Sequence, residues 1–106
     1  MKQQKWDSKN ISDQKGKVVI ITGANSGLGY ETARVLANKN ATIIVAVRNQ
    51  EKGNAAVEKI KLENPNADIQ VMLVDLSNLE SIHSFAKGFK NKFNKLDLLI
   101  NNAGVM

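Results

Sequence analysis

The sequence predicts an α/β fold, an open parallel sheet with helices on both faces, and three observations lead there. Short β-branched apolar runs alternate with longer segments of helical period, giving β-α-β-α-β-α-β along the chain. The first apolar run passes directly into a glycine-spaced turn and then a helix. No internal repeat or linker-like stretch interrupts the alternation. Right-handed crossovers then give one open parallel sheet, and if its strand order follows the dinucleotide-binding type the four strands run 3-2-1-4.

Each element has its own warrant. Residues 1 to 15 lack periodicity and read as an arm leading to the turn at Gly16, with Trp6 as a packing anchor. Residues 16 to 106 form the domain. Lys17 to Thr22 is a Val- and Ile-rich run of the kind that forms a central parallel strand, covered on both faces. Ser26 can cap a helix reaching Lys39, with Leu28, Thr32, Ala33 and Leu36 at helical spacing. Thr42 to Val47 is a second strand. Asn49 can cap a second helix, through Val57 and Ile60 to about Asn64, where Pro65 forbids continuation. Asp68 to Val74 reads as a third strand. Ser77-Asn78-Leu79-Glu80 fits a capping box led by Ser77, and Leu79, Ile82, Phe85, Ala86, Phe89 and Phe93 form the apolar stripe of a third helix. His83 falls on the solvent side of that helix. Leu96 to Asn101 is the fourth strand, placed at a sheet edge with Leu96, Leu98, Leu99 and Ile100 uncovered. An uncovered apolar edge is a template for pairing, so the chain by itself is expected to aggregate or exchange strands.

Composition narrows the function classes. At 106 residues the chain is one domain at most and short for a complete doubly wound enzyme, so the expectation is the N-terminal half of a truncated domain. Hydrophobic residues at 42% and charged residues at 24% describe an ordinary globular protein. With no Cys and one His, neither a thiolate metal site nor a Cys/His nucleophile pair can form, and no metal is expected. No apolar run approaches the roughly 18 residues of a membrane span, and the polar, lysine-rich start has no signal core. A cytoplasmic location without membrane association is the default. The net charge of +5 comes from lysines interspersed with Asp and Glu, which favours a solvated surface over a nucleic-acid stripe.

The chemistry is carried by Gly23, Gly27 and Gly29, spaced G-x-x-x-G-x-G after a strand and before a helix. A sharp turn there lets the backbone approach a pyrophosphate without a Cβ in the way, and the helix offers its free N–H groups to the anion. The alternative is a glycine-rich structural turn. Thr22-Gly23-Ala24-Asn25-Ser26-Gly27-Leu28-Gly29, taken with Asn101-Asn102-Ala103-Gly104, resembles the short-chain dehydrogenase/reductase family from about Lys15 to Met106. With Arg48-Asn49 and Glu51-Lys52-Gly53 added, the chain is most similar to the retinol-dehydrogenase-like and WW-domain-oxidoreductase-like branch.

The resemblance implies a Rossmann-type fold, a nicotinamide dinucleotide, and interconversion of an alcohol and a carbonyl by hydride transfer. An NAD site carries an acid at the end of strand two, about 20 residues past the glycines. Here Ala46 and Val47 precede Arg48, a cation suited to a 2′-phosphate, so NADP is favoured over NAD. Ser26 stands where many NADP-preferring members add a second basic residue. Lys52 is a lesser candidate for a further phosphate contact.

Gly23, Asn25, Ser26, Gly27, Leu28 and Gly29 would line the phosphate corner. Asp75 and Leu76 would hold the adenine, although Asp75 could instead satisfy turn backbone. Asn102, Ala103 and Gly104 would support the ribose side.

The family's catalytic Tyr-x-x-x-Lys is not in these residues. Tyr30 is followed at the fourth position by Arg34, so the catalytic set is expected beyond Met106 and the chain alone is expected to be inactive. For the full-length protein the resemblance implies a small-molecule substrate and a homo-oligomer. A non-catalytic dinucleotide-binding module or a scaffold remains the alternative function.

Overall fold

The computed structural model describes residues 13–24 and 27–101. Its elements run β1 (Val18–Thr22), α1 (Gly27–Asn38), β2 (Thr42–Val47), α2 (Gln50–Glu63), β3 (Asp68–Leu73), α3 (Leu79–Lys92) and β4 (Leu98–Asn101). All four strands are parallel, in the order β3-β2-β1-β4, as the alternation predicts. The third and fourth strands are shorter than expected: β3 stops at Leu73, before Val74, and β4 starts at Leu98, after Leu96 and Asp97.

Strand side chains alternate between the two faces, and each face meets its own helices. Val19, Ile21, Ile43, Val45 and Ile69 pack with Ala33, Leu36 and Ala37 of α1 and Ile60 of α2. Val18, Ile20, Ile44 and Ala46 meet Phe89, with Ile82, Phe85 and Phe93 of α3 against them. Ile21, Ile43 and Ile44 are fully buried. Burial of each such side chain stabilises the fold by about 1.5–3 kcal/mol.

Phe89 and Phe93 stack with ring centroids 5.0 Å apart, and Phe85 packs against the same cluster, so the three aromatics of the α3 stripe serve packing. His83 is exposed, also as expected.

Four expectations need correction. Leu28 is 68% exposed and lies outside the core stripe of α1, because it falls in the helix's first turn, beyond the sheet. Leu79 is likewise exposed at the start of α3, while Ala86, also exposed, stays on the apolar stripe and lines the groove beside Phe85 and Phe89. The cap of α3 is Asn78, whose side chain accepts from the Ser81 amide, while Ser77 turns back to Asp75. Ile100 packs against the first core, so only Leu96, Leu98 and Leu99 of the predicted edge set are exposed.

Helix α1 ends on Asn40 at φ +74°, with Ala41 N–H donating to Leu36 and Asn40 N–H to Ala37. That is a left-handed stop, made by Asn where glycine is more usual. Among the described residues no helix is long and apolar enough to cross a membrane.

Candidate functional site

Parallel strands put all their carboxyl ends on one side, and chain order reverses between β1 and β4. Such a switch point opens a crevice above the strand ends. The turns after β1, β2 and β3 and the end of β4 therefore converge on one edge of the sheet.

At the end of β1, Gly23 adopts φ +65° and donates its N–H to Ala46 of β2 at 3.1 Å. Gly27, at φ +62°, opens α1, and Gly29 is buried in its first turn. A Cβ on Gly27 would meet nothing within 4 Å, so conformation rather than crowding demands glycine there, with open space above it. The first turn of α1 has no acidic residue, leaving the positive end of its dipole for an anion. Exposed Leu28 stands at the same corner. These features fit the phosphate-binding role expected of the glycines. Asn25 and Ser26 lie outside the described residues, as do Asn102, Ala103 and Gly104.

Thr22 ties two of the strand ends together. Its hydroxyl lies 3.0 Å from Asn101 Oδ1 and 3.5 Å from the Ile100 carbonyl. The sign in the sequence is a polar residue closing an otherwise apolar strand.

Arg48 is exposed immediately after β2, between buried Val47 and Asn49. Asn49 caps α2 by accepting from the Lys52 amide at 3.0 Å, so the part Lys52 plays here is through its backbone. Asp75 follows β3, whose ladder is extended by Val74 N–H donating to the Val47 carbonyl at 2.9 Å. Asp75 Oδ1 accepts from the Ser77 hydroxyl at 2.6 Å and the Ser77 amide at 3.0 Å. Its own amide donates to Ser81 Oγ at 2.8 Å. The Ser77 bonds hold the Asp75 carboxyl below its usual range, and the Arg48 cation contributes less in the same direction. The turn-satisfying role of Asp75 is thus present, and Leu76 beside it is 45% exposed.

Asp97 is a residue that the sequence reading missed. At the opposite end of the sheet its carboxylate accepts from Val18 N–H at 2.8 Å, and its amide donates to the Val18 carbonyl at 2.9 Å. The Val18 N–H on the carboxylate, with a smaller part from Lys95, holds its pKa low, and the two bonds together clamp the start of β4 to β1. The only sign of it in the sequence is a charge directly before an apolar run.

Among the described residues no group of three or more His, Cys, Asp or Glu could hold a metal ion. The edge therefore offers glycines at a helix start, an exposed Arg and a pre-ionised Asp, a set suited to a phosphate-bearing nucleotide.

The comparisons agree in kind. A family model described as short chain dehydrogenase matches residues 17–106. The chain is 48% identical to retinol dehydrogenase 12 of Homo sapiens over 91 residues, covering 86% of this chain and 29% of that protein. It is 42% identical to the WW domain-containing oxidoreductase of Gallus gallus, covering 96% of this chain and 26% of that one. The crystal structure of a metagenomic short-chain oxidoreductase in complex with NADP superposes with a TM-score of 0.80 at 33% identity, covering 89% of this chain and 42% of that one. The chain spans less than a third of the length of these curated relatives.

Proposed function

This chain belongs to the short-chain dehydrogenase family, and we propose that it is the cofactor-binding part of an NADP-dependent oxidoreductase interconverting an alcohol and a carbonyl. The observation that carries NADP over NAD is Arg48, exposed at the end of β2 with no acid beside it in that strand. NAD sites place an acid at this point to bind the ribose 2′-OH. Arg48 instead suits a 2′-phosphate through charge-assisted bonds worth about 1.5–3 kcal/mol.

In this reading Gly23, Asn25, Ser26, Gly27, Leu28 and Gly29 cradle the pyrophosphate. Asp75 and Leu76 border the adenine, and Asn102, Ala103 and Gly104 support the ribose side of the cofactor. The cofactor supplies hydride transfer; these residues bind and orient it. Proton transfer falls to a Tyr and Lys outside these 106 residues, and the substrate to a pocket built with them. The NADP-bound relative and the retinol dehydrogenases among the matches support the same class of chemistry. A cytoplasmic homo-oligomer is the setting that goes with this reading.

The test is the cofactor affinity of the full natural protein carrying Arg48→Asp, followed by calorimetry. NADPH binding is expected to weaken by about 10–100-fold while NADH binding holds or improves. Unchanged NADPH affinity would remove Arg48 from the site, and no binding of either dinucleotide to the native protein would favour a scaffold.

A further inference from the structure

Gly53 sits inside α2, in a helical conformation open to any residue, where glycine costs about 1 kcal/mol relative to alanine. Space explains its presence. A Cβ there would lie 2.6 Å from Val47 Cγ2 and 3.1 Å from Val71 Cγ1. The first turn of α2 thus rests directly on the last residue of β2 and on Val71 of β3, the ladder partner of Val45.

That contact borders the two-residue link Arg48-Asn49. On one side Val47 is pinned, paired with Leu73 and accepting from Val74 N–H at 2.9 Å. On the other, Asn49 is locked to the helix by its cap to Lys52 and by Gly53 N–H donating to its carbonyl at 3.1 Å. A link this short has no slack. A Cβ at position 53 forces a shift between the helix start and Val47, because close-packed neighbours yield only by moving together. Arg48 lies between the two.

We propose that Gly53 is a positioning residue for cofactor selectivity: by letting α2 seat on Val47 and Val71, it sets the height at which Arg48 meets the 2′-phosphate. The inference rests on the role given to Arg48 above. A purely structural glycine would instead affect stability, or both dinucleotides equally.

The experiment measures NADPH and NADH affinities by calorimetry in the full natural protein, for Gly53→Ala, Val47→Ala/Gly53→Ala and Arg48→Ala, with circular dichroism to compare folding. Gly53→Ala is expected to lower the NADPH-over-NADH preference by about tenfold. The double variant, in which the Val47 methyl that blocks the new Cβ is gone, is expected to recover most of it. A folded Gly53→Ala protein with its preference intact, beside an Arg48→Ala protein that has lost its own, overturns the positioning role and leaves the Arg48 reading standing. If Arg48→Ala keeps the preference, the 2′-phosphate reading fails and this inference falls with it. Should Gly53→Ala not fold, the double variant decides: native preference supports the inference, and a preference still lost once folding is restored overturns it.

Discussion

Asp75 shows how one side chain meets a structural and a functional demand. Its carboxylate closes the turn after β3 through Ser77, and the same bonds keep it ionised next to the Arg48 side of the crevice. Its native pKa lies below the ordinary 3.8, so its stabilisation is complete above the carboxylate range and is lost as pH falls through the lowered value. The melting-temperature gap between the native chain and Asp75→Asn should therefore stay constant from about pH 7 to about pH 5 and shrink below about pH 4. A gap that persists at lower pH would mean that charge plays no part in the turn. Position and residue type were legible here, since an Asp two residues before a Ser after a strand is a turn signal in its own right. The hydrogen bond from the Asp75 amide to Ser81 was not, because it depends on how α3 swings back over the strand end.

The helices show where local rules suffice and where they compete. Ser77 and Asn78 are both good caps, and the sequence pattern chose Ser77 because Glu80 completes its box. Ser77 is taken by Asp75, so the cap passes to Asn78, which accepts from Ser81 N–H at 3.2 Å. Asn78→Ala should lower stability by about 1 kcal/mol through fraying of α3, while Ser77→Ala should leave the helix start intact and loosen the Asp75 turn. Thermal melts and amide exchange at Ile82 and its neighbours separate the two effects, and equal fraying in both variants would return the cap to Ser77. The stop of α1 at Asn40 was equally hidden. Asn tolerates the left-handed region, but the sequence around it does not say which polar residue will be asked to.

On the scale of the whole molecule, the two faces of the sheet are unequally covered. Among the described residues, helices α1 and α2 close one face, while α3 alone serves the other. An apolar groove of about 530 Å³ remains beside β4, lined by Phe85, Phe89, Phe93, Leu96 and Leu99 among others. Leu98 and Leu99 are 46% and 56% exposed on an edge strand. The 106-residue chain should therefore self-associate, and Leu99→Lys should weaken that association, since an inserted charge is a known guard of sheet edges. Sedimentation over a range of concentrations reads both, and a chain that remains monomeric throughout would refute the edge as a pairing surface.

Element order, strand polarity, the two-faced core and the glycine corner were determined by the sequence alone, because hydrophobic period and glycine placement are written into neighbouring residues. Tertiary structure decided what depends on register between distant segments. Thr22 meets Asn101 and Val18 meets Asp97 across 79 positions, and Gly53 matters because Val47 and Val71 lie beneath it. No local pattern encodes such contacts. They follow from which strand ends are brought together and how closely a helix is allowed to approach them.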